Sequence, residues 1–181
     1  VKRDSLFAVT YLNGLLIYII PYLISLLVCF IILGVNKYMV MEVFLTGLRA
    51  FGVNVLYYTL MYTIAIVAVM LTGNIVVSFL GTGVFYLYGS FILEINHMYF
   101  DEFFTTYFTI NKTEKMILNM SPLGNYVNIA GEIADGYGKD TIGTIVSVIV
   151  ATIALIIFAV FLYRKRPSEA AGKAMAFGIS K

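Results

Sequence analysis

Three long stretches without a charged side chain decide what this chain can fold into. Residues 5–36, 50–93 and 141–163 contain no Asp, Glu, Lys, Arg or His, and they are 32, 44 and 23 residues long. At 1.5 Å per residue a helix built from the last run is about 35 Å long, enough to cross a hydrocarbon core of about 30 Å with some tilt. Hydrocarbon offers no partner to a backbone N–H or C=O, so segments this long and this apolar pair their own backbone as helices. Composition points the same way: 61% of the residues are hydrophobic and 12% charged, against about 25% charged in soluble domains. The expected fold class is all-α, a polytopic membrane helical bundle.

Charge next to the runs gives direction. The run 141–163 turns abruptly into Arg164, Lys165, Arg166 and Pro167, and basic flanks resist translocation, so this end is expected in the cytoplasm. The first run follows Lys2 and Arg3, with Asp4 or Ser5 placed to cap a helix start, and continues to about residue 35. Pro21 in its middle is expected to kink that helix. The second run would be about 66 Å long as one helix, twice a bilayer, so it must fold back. The breakers near its centre are Thr72, Gly73 and Asn74, which predicts one helix over about 52–72 and another over about 75–94. That turn carries no basic residue, so its side rests on parity alone. Four spans put both basic ends in the cytoplasm; an odd number would separate them.

The remaining segments are mixed. In residues 36–52, Lys37, Glu42 and Arg49 alternate with apolar positions 40, 44, 45 and 48, which fits a short amphipathic helix on the outer surface or the first turns of a long tilted span. In the third predicted span, Gly81, Gly83 and Gly89 with Ser78, Thr82 and Ser90 give small surfaces for close helix packing. Residues 95–140 form an extracytoplasmic segment that, with Glu94 at its edge, holds seven of the ten acidic residues. It opens on an aromatic band, Met98, Tyr99, Phe100, Phe103, Phe104, Tyr107 and Phe108, suited to the headgroup zone. Met116, Ile117 and Leu118 then lead to Ser121-Pro122-Leu123-Gly124, which reads as one or two short interfacial or re-entrant helices ahead of the last span. Gly131, Gly136 and Gly138 follow as a flexible return. Asn111-Lys112-Thr113 and Asn119-Met120-Ser121 match the glycosylation pattern. The start at Val1 and the unfinished end at residues 178–181 read as an excerpt of a longer chain.

Little in the sequence carries chemistry. The one histidine, His97, excludes an HExxH motif and any paired-histidine metal site within these residues. Its neighbourhood of Glu94, Asp101 and Glu102 reads as an interfacial polar residue. Glu94 itself reads as the marker of a helix end, or as a carboxylate site for a proton or cation. Cys29 lies in an apolar run with no second cysteine to pair with. No GxxxxGK[ST] loop is present, and the uncharged spans lack the acidic or basic residues that ion-coupled carriers use. The chain is expected not to be an enzyme, to hold no catalytic residue, metal or cofactor, and to bind no nucleic acid.

Three features resemble the membrane subunit of type-2 ABC transporters, the exporter-type permeases. Val1-Lys2-Arg3-Asp4-Ser5-Leu6-Phe7 resembles the end of that family's cytoplasmic connection ahead of its third span. The outer segment with Ser121 and Pro122 before the final helix resembles the re-entrant region between the fifth and sixth spans. Tyr163 to Phe177, beginning Tyr163-Arg164-Lys165-Arg166-Pro167, is similar to a segment of such permeases in Gram-positive gut bacteria of the Bacillota. The family's first two spans are missing from this chain. The resemblance implies a single transmembrane permease domain over residues 1–181 with four spans. It implies that Lys2, Arg3, Asp4, Ser5, Leu6 and Phe7 form a cytoplasmic segment coupling to a separate ABC ATPase subunit, which binds the ATP. Arg164, Lys165 and Arg166 would open a cytoplasmic tail or linker, residues 164–181, and a second permease subunit, in a homo- or heterodimer, and membrane lipid would be the other partners. A membrane sensory or structural protein whose outer segment binds a ligand is the competing reading.

Overall fold

A computed structural model describes residues 3–38, 40–72, 74–104, 111–133 and 139–165. Six helices follow one another: α1 (Arg3–Val35), α2 (Met41–Leu71), α3 (Ile75–Phe103), α4 (Asn111–Met120), α5 (Pro122–Glu132) and α6 (Lys139–Lys165). No strand occurs among the described residues. Four of the helices, α1, α2, α3 and α6, are long and apolar enough to cross a membrane. The all-α polytopic bundle expected from the uncharged runs is the fold found.

Local sequence sets the helix ends. α1 runs unbroken through Pro21 and stops in a Schellman turn, in which the Tyr38 N–H donates to the Leu33 carbonyl at 2.9 Å and the Lys37 N–H to the Gly34 carbonyl at 3.1 Å. Lys37 takes the left-handed position at φ 60°, which glycine usually fills. α2 ends and α3 begins on either side of the predicted break: the Asn74 side chain accepts the Val76 N–H at 2.8 Å, capping α3. Ser121 caps α5 by accepting the Gly124 N–H at 3.3 Å, with Pro122 in the first turn.

Two helices run further than expected. The amphipathic stretch after Asn36 is the first part of α2, which resolves the two readings in favour of the long span. Phe30 of α1 lies where a Cβ on Gly47 would stand, 2.8 Å away, and its ring packs on Phe44 at 5.1 Å, so the start of α2 is held alongside α1. α3 continues past residue 94 to Phe103 because its aromatic band repeats at helical spacing: Tyr99 contacts Phe103 at 5.0 Å and Phe100 contacts Phe104 at 5.6 Å.

The core has two centres. One gathers Val53, Tyr57 and Leu60 of α2, Ile129 and Ile133 at the end of α5, and Val148 of α6. The other gathers Phe7 and Tyr11 of α1 with Ala159 of α6, flanked by Ile66 and Met70 of α2. The start of α1, the end of α2 and the end of α6 therefore share one end of the bundle. The outer flank of α1 and much of α3 carry exposed Leu, Ile, Val and Phe, the surface a lipid-facing helix presents.

α4 and α5 form a hairpin that enters the bundle. Its tip, Ser121, is fully buried and sits against Gly89, where an added Cβ would stand 2.7 Å from the Ser121 hydroxyl and 2.7 Å from the Ile117 carbonyl. Gly89 is 14 residues into α3, about 21 Å along its axis, so the tip reaches the middle of the helices.

Candidate functional site

Two places in the fold gather side chains with chemistry. The first is the end of the bundle where α1 starts and α6 stops. Asp4 accepts two hydrogen bonds from Arg164, from Nε to Oδ1 at 2.8 Å and from Nη2 to Oδ2 at 2.8 Å, a bidentate pair across 160 residues of sequence. Just below, Phe7 is buried and its ring meets Tyr163 at 5.1 Å. Lys165 places its ammonium 4.5 Å from the centre of the Phe161 ring. Ser5 and Leu6 face outward, Leu6 at 51% exposure. Of the residues singled out from the sequence, Asp4, Phe7 and Arg164 are thus brought together in one clasp, and Leu6 is left open to a partner. Arg3 is the first residue of α1; Lys2 and Arg166 lie outside the described residues.

The second place is a polar seam at mid-depth, built from tyrosines. Tyr11, Tyr18 and Tyr22 are spaced seven and four apart on α1, and Asn54, Tyr58 and Tyr62 four apart on α2, so each set lies on one helix face. The faces meet. Tyr18 stacks on Tyr58 with centroids 3.9 Å apart and planes 14° apart. Tyr58 follows Tyr62 at 5.9 Å, Tyr62 meets Tyr11 at 5.4 Å, and Tyr11 meets Phe7 at 5.8 Å. At the other end Tyr22 lies 5.2 Å from Phe51. A continuous line of rings therefore runs between α1 and α2 from the Asp4–Arg164 clasp past the middle of the bundle.

Polar tips pair across the helices, as an environment without water requires. The Asn54 amide donates to the Tyr22 hydroxyl at 2.5 Å and accepts from the Tyr126 hydroxyl at 2.7 Å, joining α1, α2 and α5. Tyr57 donates to the Asn125 side chain at 2.6 Å, and Asn125 donates to the Asn119 carbonyl at 3.2 Å. Tyr11 and Thr63 share a hydrogen bond of 2.8 Å, and Tyr58 donates to the Gly14 carbonyl at 3.2 Å. Gly14 is needed there, because a Cβ at that position would stand 1.9 Å from the Tyr62 hydroxyl. Tyr86 donates to the Met61 carbonyl at 2.5 Å, and the Tyr88 hydroxyl to the Met120 carbonyl.

Two cavities flank this network. One, of about 170 Å³, is lined by Tyr18, Tyr57, Tyr58 and Tyr126 with Asn54, Met61 and Leu123. The other, of about 350 Å³, lies between α2, the hairpin tip and α6, with Asn119, Asn125 and Ser147 at its polar part and Leu60, Ile64 and Leu155 at its apolar part. Among the described residues no group of His, Cys, Asp and Glu is placed to hold a metal ion. Glu94 is exposed on α3 and His97 half-buried one turn on. Glu132 accepts a 2.5 Å hydrogen bond from Thr141, tying the end of α5 to the start of α6. Of the two glycosylation matches, Asn119-Met120-Ser121 is the hairpin tip, with Ser121 inside the bundle; at the other, Asn111 opens α4.

The seam was not singled out from the sequence. The seven-and-four spacing on one run facing the four-and-four spacing on the next is the signal that marks it. Compared with protein-family models, with curated proteins and with solved structures, the chain matches none.

Proposed function

We propose that this chain is the membrane-spanning permease part of an ATP-driven exporter of the type-2 ABC class, with ATP bound and hydrolysed by a separate ATPase subunit. The observation that carries this reading is the α4–α5 hairpin, which leaves α3, buries Ser121 against Gly89 at mid-depth and returns to the last span. A re-entrant hairpin at that place in the chain is what the resemblance leads one to expect. The clasp between Asp4 and Arg164 supports it further, because it gathers the two basic ends at one end of the bundle. On this reading that end is cytoplasmic. The coupling segment that begins at Lys2 meets the ATPase there, with Leu6 exposed on it, and the permease works as a dimer with a second such subunit. No catalytic role falls to the chain itself; movement of its helices opens the path.

The test is association. Expressed with its chromosomal neighbours, the full-length protein copurifies with a P-loop ATPase, and Arg3→Ala with Leu6→Ala lowers ATP hydrolysis by the purified complex several-fold without dissociating it. An ATPase that never associates with the intact protein overturns the reading.

A further inference from the structure

The cavity between α1, α2 and α5 has a composition that selects its occupant. Its volume, about 170 Å³, is close to that of a cavity known to take one benzene ring. Four of its walls are tyrosines: Tyr18, Tyr57, Tyr58 and Tyr126. Three of their hydroxyls donate within the protein: Tyr57 to Asn125, Tyr58 to the Gly14 carbonyl and Tyr126 to Asn54. The fourth does not. The Tyr18 hydroxyl has no hydrogen-bond partner among the described residues, although Tyr18 sits 15 residues into a span of mean hydropathy 2.8, where an unmade hydrogen bond is costly. Asn54 adds a second donor unused among the described residues. Its amide gives one hydrogen to Tyr22, and an amide nitrogen carries two. Among the described residues no Asp, Glu, Lys, Arg or His lines the space, so a charged ligand would enter without a counter-charge.

We propose that this cavity is a binding site for a neutral, ring-sized aromatic molecule, or an aromatic end group of a larger one, that bears an oxygen acceptor. The ring packs among Tyr58, Tyr126 and Leu123, in the offset and edge-on arrangements aromatic groups favour. Its oxygen accepts from Tyr18 and from the free Asn54 hydrogen. Such a molecule partitions into the bilayer and reaches the site from there. The site does not depend on coupling to an ATPase, and it is tested at equilibrium without nucleotide, so its failure leaves the transporter proposal standing.

The experiment uses the protein in lipid nanodiscs and three fluorinated probes followed by ¹⁹F line broadening against empty nanodiscs: methyl 4-fluorobenzoate, 4-fluorotoluene and (4-fluorophenyl)trimethylammonium. The ester binds most tightly and the cation least. Tyr18→Phe lowers affinity for the ester about three- to tenfold, the loss of one hydrogen bond, and leaves 4-fluorotoluene unchanged. Because the two probes are compared on the same sample, a lower folded fraction cancels. Leu123→Trp fills the space and removes binding of both. Equal losses for the ester and 4-fluorotoluene in Tyr18→Phe, tightest binding of the cation, or full binding in Leu123→Trp would each overturn the proposal.

Discussion

Replacing Gly89 by alanine tests whether the hairpin is seated in the bundle. A methyl carbon at that position would lie 2.7 Å from the Ile117 carbonyl oxygen, 2.7 Å from the Ser121 hydroxyl and 3.0 Å from the Ser121 Cβ. Ordinary contacts between such atoms are about 3.5 Å, so the overlap is about 0.8 Å against a backbone atom that cannot rotate away. α3 and the hairpin must part, and overpacking of this kind costs about 1–3 kcal/mol. The change also removes a glycine from a helix interior, which by itself stabilises by about 0.5–1 kcal/mol. Gly83, on the same helix, supplies the control, because nothing lies within 4 Å of its Cβ position. Gly83→Ala keeps the propensity gain without the clash, so the difference between the two variants isolates the packing cost. Equilibrium unfolding in mixed micelles should place Gly89→Ala about 1–3 kcal/mol below Gly83→Ala. Ser121→Ala combined with Gly89→Ala should recover little of this, since the Ile117 carbonyl remains. Equal stability of the two glycine variants would mean that the hairpin does not rest on α3, and the re-entrant assignment would be lost with it.

Two other substitutions probe the network and the clasp. Tyr57→Phe deletes the donor to Asn125 while keeping the ring in a site where Tyr57 is 1% exposed; leaving the buried acceptor unpaired should cost about 1–3 kcal/mol, and a double-mutant cycle with Asn125→Leu should show most of that cost as coupling, additivity being the result against it. Asp4→Ala and Arg164→Ala should each lower stability by no more than about 1 kcal/mol, because the pair is half exposed and screened by solvent. The double variant should be no worse than either, and high salt should erase the difference; full additivity would show that the two charges do not interact.

What could be read from the sequence follows from which forces act locally. The uncharged runs are decided by transfer from water to lipid, a property of the residues themselves, and all four spans were legible from them. The break between α2 and α3 was legible because Asn74 caps with its own side chain. The end of α1 was legible as well, expected at about residue 35 and found at Val35, although the left-handed residue that closes it is Lys37 and not a glycine. The extent of α2 was open because what holds its first turns is a tertiary contact, Phe30 against Gly47. The extension of α3 was hidden by a charge, since Glu94 read as a helix end, whereas the aromatic repeat continues the helix past it to Phe103. The tyrosine seam was the least legible part. Each phenol is individually an ordinary membrane residue, and only pairing between Tyr11 and Thr63, 52 residues apart, or between Tyr126 and Asn54, 72 apart, gives the set a common purpose.

The placement of Pro21 connects the two sites. A proline removes the donor to the carbonyl four residues earlier and is where a helix bends most readily. In α1 the carbonyl left without its donor is that of Ile17, so the hydrogen-bond ladder is uninterrupted only from Asp4 to about Leu16, about 18 Å. A movement imposed on the first turn, where Asp4 is clasped to Arg164 and Leu6 is open, is therefore carried rigidly to that point, and bending is absorbed between Ile17 and Pro21, the turn that holds Tyr18. On the opposite wall Tyr58 belongs to α2, which the packing of Tyr57, Leu60 and Val148 holds in the core. Bending α1 in that turn moves Tyr18 over Tyr58 and changes the shape of the aromatic cavity that both line.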